Sequence, residues 1–227
     1  VAEAVEGQVR GSDREVQGRP LGLGQWSAWA VFAFDVVYLA LVGASGAFSG
    51  APRDPFWAAA EAVTVIGAPI HVVLFAVIFQ LTPAPARVFG VLAFGFMLST
   101  AAVTSTVHLI ELLVARRVAP VGDPALGYIY DFTQPSLFFA ADVTAWHFLF
   151  GLSLLFAAVA FTGPGSPLYV RAAFLMAGLL CLLGLTGPAF GNPYLRLIGV
   201  FGYGAVFPIL CLLLGVHFRS ARKKIFR

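Results

Sequence analysis

Charge is what this chain has least of. Only 11% of its 227 residues are Asp, Glu, Lys or Arg, against about 25% in soluble domains, which excludes an ordinary globular fold. Cysteine is equally scarce. Cys181 and Cys211 both lie deep in apolar segments, which supports neither a disulfide framework nor a zinc-finger spacing. Residues 1–24 lack the basic-then-apolar layout of a secretory signal and read as a short flexible polar tail. The short alternating segments of a transmembrane barrel are missing too. So are a Ser nucleophile with its base, a phosphate loop and a redox-cysteine pair.

What is there is apolar. Hydrophobic residues make up 59% of the chain and the mean hydropathy is +0.88. The apolar runs reach the ~20 residues that carry a helix across ~30 Å of hydrocarbon. The fold class is therefore all-α, a polytopic integral membrane protein built as a six-transmembrane-helix bundle over residues 25–218, with a basic cytoplasmic tail at 219–227. Turn residues place the spans at about Gln25–Phe48, Pro55–Leu81, Ala86–Val114, Ser136–Phe161, Pro167–Leu185 and Pro193–Phe218. Gly43, Gly46 and Gly50 close the first, and Gly163-Pro164-Gly165 closes the fourth.

Lys and Arg set the orientation. With both termini cytoplasmic, that side holds Arg10, Arg14, Arg19, Arg87, Arg171, Arg219, Arg222, Lys223, Lys224 and Arg227, and the other holds Arg53, Arg116, Arg117 and Arg196. The excess favours this arrangement, as in a prokaryotic inner membrane, with Arg116-Arg117 the discordant pair. The basic C-terminus reads as a flank on anionic lipid headgroups, so the bilayer is the expected partner and nucleic acid is not. The long outer connection, about 115–135, carries Tyr128, Tyr130, Asp131 and Phe132, suited to the membrane interface or to a lid.

Against this background seven ionisable residues stand inside apolar runs: Asp35, Glu61, His71, His108, Glu111, Asp142 and His147. Each costs at least ~2.5–3.5 kcal/mol at the bilayer centre, so such residues face a functional interior. At 1.5 Å per residue, Glu61, His108 and Asp142 all fall ~8–9 Å below the outer ends of their helices, with Glu111 higher, Asp35 and His147 near ~15 Å, and His71 deeper. One outward-opening cluster follows. Thr100, Thr104, His108 and Glu111 share a face of the third span, where the hydroxyls are expected to bond their own helix. Asp142 and His147 are about 140° apart on theirs, so one faces His108 while the other turns towards Asp35.

Several chemistries fit. His108, Glu111, Asp142 and Glu61 are candidate ligands for zinc or another divalent metal, with His108, Glu111 and Asp142 as the catalytic groups. The usual His-Glu-x-x-His signature is absent. Metal-free acid–base work on a lipid-like or small-molecule substrate needs the same residues. The stretch His108-Leu109-Ile110-Glu111 resembles the His/Glu helix of emopamil-binding-type sterol isomerases over four residues, too few to assign a family. Haem b would need an axial pair, for which His71 and His147 are the cofactor-binding candidates, but no two histidines lie at one depth. Asp35 and His147 could serve a proton relay in a proton- or cation-coupled transporter. A non-catalytic accessory subunit with a membrane-protein partner is the remaining reading, its helices drawn together at Gly184, Gly187, Gly199, Gly202 and Gly204.

Overall fold

The computed structural model describes the backbone of residues 2–47, 54–118, 124–132, 135–161 and 167–226, and side chains from residue 18 onward within those ranges. Gly50, Arg53, Gly163-Pro164-Gly165 and Arg227, with the side chains of Arg10 and Arg14, lie outside the described residues. Among the described residues there is no strand, and six helices are long and apolar enough to cross a membrane. They are α1 (Ala2–Ser45, apolar from Gly18), α2 (Phe56–Leu81), α3 (Ala84–Ala115), α5 (Leu137–Ala160), α6 (Leu168–Phe190) and α7 (Pro193–Ile225). A short helix, α4 (Pro124–Tyr130), sits in the long connection.

The boundaries follow local chemistry. Ser136 opens α5 by accepting a hydrogen bond from the Phe139 amide at 3.0 Å, and Asn192 opens α7 by accepting from Tyr194 and Leu195, each satisfying amides that a helix start leaves unpaired. Gly191 ends α6 at φ 62°, a left-handed conformation that glycine enters without steric cost. The α1 helix differs from expectation. It begins at Ala2, so the backbone of the expected polar tail is helical. Glu6 with Arg10, and Glu15 with Arg19, have the i, i+4 spacing that favours helix, and Pro20 is the one proline within it.

The six long helices form a closed ring. Each packs on the next in sequence, α1 on α2, α2 on α3, α3 on α5, α5 on α6 and α6 on α7, and α7 returns to α1. Inside the ring Phe75, Phe150, Phe174 and Phe207 are fully buried, with Phe150 edge-on to Phe207 at 4.8 Å. The outer face is apolar as well. Trp26, Val88, Leu113, Leu179 and Ile209 are all exposed, a surface that suits lipid tails and not water.

Two features shape the interior. Each of α3, α5 and α7 contains one π-helical turn, at Glu111–Ala115, Thr144–Leu149 and Gly202–Val206 respectively. Such turns shift the facing of the residues that follow and are frequent at functional sites. The second feature is the close meeting of α6 and α7. A Cβ on Gly184 would lie 2.6 Å from the Gly199 Cα, and one on Gly187 would lie 2.4 Å from the Arg196 amide nitrogen. The expected glycine contacts are present at Gly184, Gly187, Gly199 and Gly202, whereas Gly204 faces more open space.

Candidate functional site

His108 is the hub. It sits in the last α-helical turn of α3, 3% exposed, and both of its ring nitrogens face carboxylates from other helices. Nδ1 is hydrogen-bonded to Oε2 of Glu61 on α2, itself 1% exposed. Nε2 lies 3.6 Å from Oδ1 of Asp142 on α5. The three residues expected to share one depth are thus brought together. A neutral imidazole carries one N–H, whereas two carboxylates facing two nitrogens call for two protons. At 3.6 Å Asp142 is a charge neighbour of Nε2 and not a hydrogen-bond partner.

His71 and Asp35 form a second unit. His71 Nδ1 lies 2.9 Å from the Gly67 carbonyl. A carbonyl can only accept, so Nδ1 carries the hydrogen. Nε2 then faces Asp35 Oδ1 at 3.5 Å. His71 is 3% exposed, and its Nε2 and Asp35 Oδ2 make no hydrogen bond among the described residues. The ring stacks on Phe207 at 5.6 Å.

One cavity of ≈ 60 Å³ joins the two units, because Asp142, Asp35 and His71 all line it. Tyr38, Trp146 and Tyr203 supply further walls. Sequence reasoning did not pick out Tyr38 or Tyr203, although Tyr38 is three residues past Asp35 and so shares its helix face. The cavity lies between α1, α2, α5 and α7, inside the ring. On its far side from His108 the interior is sealed by Phe75, Phe150 and Phe207, whose rings pack on one another.

The His108 end of the site is covered. Phe132, just past α4, stacks on the His108 ring at 5.6 Å and meets Trp57 and Phe138 edge-on. This part of the long connection lies over the triad as a lid. Arg116 is ion-paired with Asp54 at the α2 entrance, so half of the discordant Arg116-Arg117 pair is neutralised locally.

Three expectations are corrected. His147 does not turn towards Asp35. Its ring fills the notch between Gly184 and Gly199, where an added Cβ would approach Cδ2 to 2.5 and 2.4 Å, and Nε2 is 3.5 Å from the Arg196 carbonyl. Held there, it is not in the Asp35 relay, and His71 has its own ring stacked on Phe207. Glu111 makes no hydrogen bond to His108; it is half-buried beside Trp57, close enough to Glu61 and His108 to feel their charges. Lastly, the expected zinc shell of His108, Glu111, Asp142 and Glu61 is not assembled. Among the described residues no group of three or more His, Cys, Asp or Glu side chains is arranged to hold a metal ion.

The hydroxyls behave as expected in part. Thr100 bonds the Phe96 carbonyl of its own helix at 2.9 Å and lies 3.4 Å from the Ala145 carbonyl in the π turn of α5. Thr104, 1% exposed, makes no hydrogen bond among the described residues. No family model matches the chain, and no curated protein or solved structure does either.

Proposed function

We propose that this is a multi-pass membrane protein, of the kind found in a prokaryotic inner membrane with both termini cytoplasmic, that couples proton movement to passage of a small solute. Its working parts are the Glu61–His108–Asp142 triad and the Asp35–His71 unit, which exchange protons through the cavity between them. His108 is the shuttle. Glu61 and Asp142 take its protons in turn, and Asp35 and His71 continue the path inward. His147 and Glu111 stand outside it.

The observation that carries this reading is the placement of both His108 nitrogens on carboxylates, with Asp142 also bordering the cavity that His71 and Asp35 share. Five ionisable groups facing inward at lipid depth are expensive, and proton relays are among the functions that retain them. The cavity size favours a small solute. At ≈ 60 Å³ it exceeds several times the ~10–15 Å³ that one water needs, yet it is far too small for an isoprenoid or a lipid. The aromatic floor at Phe75, Phe150 and Phe207 argues for a gated carrier over an open proton channel.

Proteoliposomes containing an internal pH dye, under an inside-negative potassium diffusion potential, test the reading. The intact protein is expected to acidify the lumen faster than protein-free vesicles, by turnover of the relay with water in place of the solute, and His108→Ala and Asp142→Asn to abolish the excess. Equal rates for the intact protein and His108→Ala would overturn it.

A further inference from the structure

We infer that the cavity between Asp35 and Asp142 binds a small primary ammonium cation, of ammonium or methylammonium size. This names the solute class for the carrier reading above and rests on it. Three acceptors border the space: the Asp35 carboxylate, the Asp142 carboxylate and the Nε2 lone pair of His71. The His71 lone pair follows from its neighbours. With Nδ1–H committed to the Gly67 carbonyl, a neutral ring presents a bare nitrogen at 3.5 Å from a carboxylate oxygen, and a cation seated beside both can donate to each. His71 is 3% exposed and lines the cavity, and its Nε2 makes no hydrogen bond among the described residues, so a donor held in the cavity can reach it. An –NH3+ group carries three N–H donors, one for each acceptor.

Charge points the same way. In the lining itself two carboxylates, Asp35 and Asp142, stand with no Lys or Arg. Arg196 is a counter-charge outside the lining, its guanidinium resting on the Phe139 ring at 5.2 Å. The remaining walls include the rings of Trp146, Tyr203 and Phe207, whose faces attract cations. Size sets the limit. A cavity of ~150 Å³ accommodates benzene, so ≈ 60 Å³ admits one or two heavy atoms.

Calorimetric titration of the full chain in nanodiscs with methylammonium chloride, at constant ionic strength against sodium chloride, tests the site. Saturable binding is expected. Asp35→Asn should weaken it at least ~10-fold, the worth of one charge-assisted hydrogen bond, and tetramethylammonium, larger and without N–H, should not bind. Gly204→Ala guards against misfolding of the carboxylate variant. Its added Cβ meets Leu39 Cδ2 at 3.6 Å and Val200 Cγ1 at 3.9 Å, ordinary contact, so the fold tolerates it while the cavity narrows and methylammonium affinity falls. Unchanged binding in both variants, tetramethylammonium binding as strong as methylammonium, or no saturable heat would each overturn the inference. A proton flux that persists without saturable methylammonium binding would leave the relay standing with water alone in the cavity.

Discussion

Glu61 offers the sharpest test of the triad. Replacing it with alanine strands a His108 ring that is 3% exposed, next to a carboxylate that was itself 1% exposed. Removing one partner of a buried ion pair typically costs about 3–5 kcal/mol, because the other is left uncompensated. Glu61→Gln keeps the shape and an acceptor oxygen for Nδ1–H. It loses only the difference between a charge-assisted and a neutral hydrogen bond, about 1–2 kcal/mol. His108→Ala frees both carboxylates and should cost at least as much as Glu61→Ala. In the double variant the stranded partner is gone, so its cost should fall short of the sum by about 0.5–3 kcal/mol. Reversible unfolding in mixed dodecyl maltoside and sodium dodecyl sulfate micelles, followed by far-ultraviolet circular dichroism, gives the four free energies. Strict additivity, or a Gln variant as damaged as the Ala variant, would refute the pairing.

Two further outcomes follow from the packing. Gly199→Ala drives a methyl to 2.4 Å from His147 Cδ2 and 3.1 Å from the Gly184 Cα, and overpacking of this kind costs about 1–3 kcal/mol. His147→Ala in the same chain should recover part of that loss in the micelle unfolding assay, and no recovery would mean that the ring is not what fills the notch. Phe132→Ala removes the ring stacked on His108. It should speed modification of His108 by diethyl pyrocarbonate, read by mass spectrometry, and an unchanged rate would show that Phe132 does not shield the site.

Depth along the helices was legible in the sequence, and azimuth was not. The spans could be read because each apolar run is bounded by residues with a definite local preference, such as Pro193 after Asn192 or the proline pair at 83 and 85. Depth follows from a constant rise, and it correctly grouped Glu61, His108 and Asp142. Facing depends on how each helix is rotated in the ring, and the π turns at Glu111–Ala115, Thr144–Leu149 and Gly202–Val206 alter that rotation midway. His147 lies within one of them and faces α6 and α7, so it could not be paired correctly from an ideal period. The His71–Asp35 contact was hidden for a similar reason. It joins positions whose estimated depths differ, and only the packing of α1 on α2 brings them together.

Because the ring closes with α7 on α1, the order of synthesis has a cost. The N-terminal Asp35 enters the bilayer first, its imidazole neighbour arrives with the second helix, and Tyr203, Gly204 and Phe207 come only with the last. Until translation passes Pro193 the nascent bundle is a five-helix arc with an open seam that leaves an acidic side chain uncovered. Termination before that point would therefore leave Asp35 and His71 without the wall that Tyr203, Gly204 and Phe207 supply.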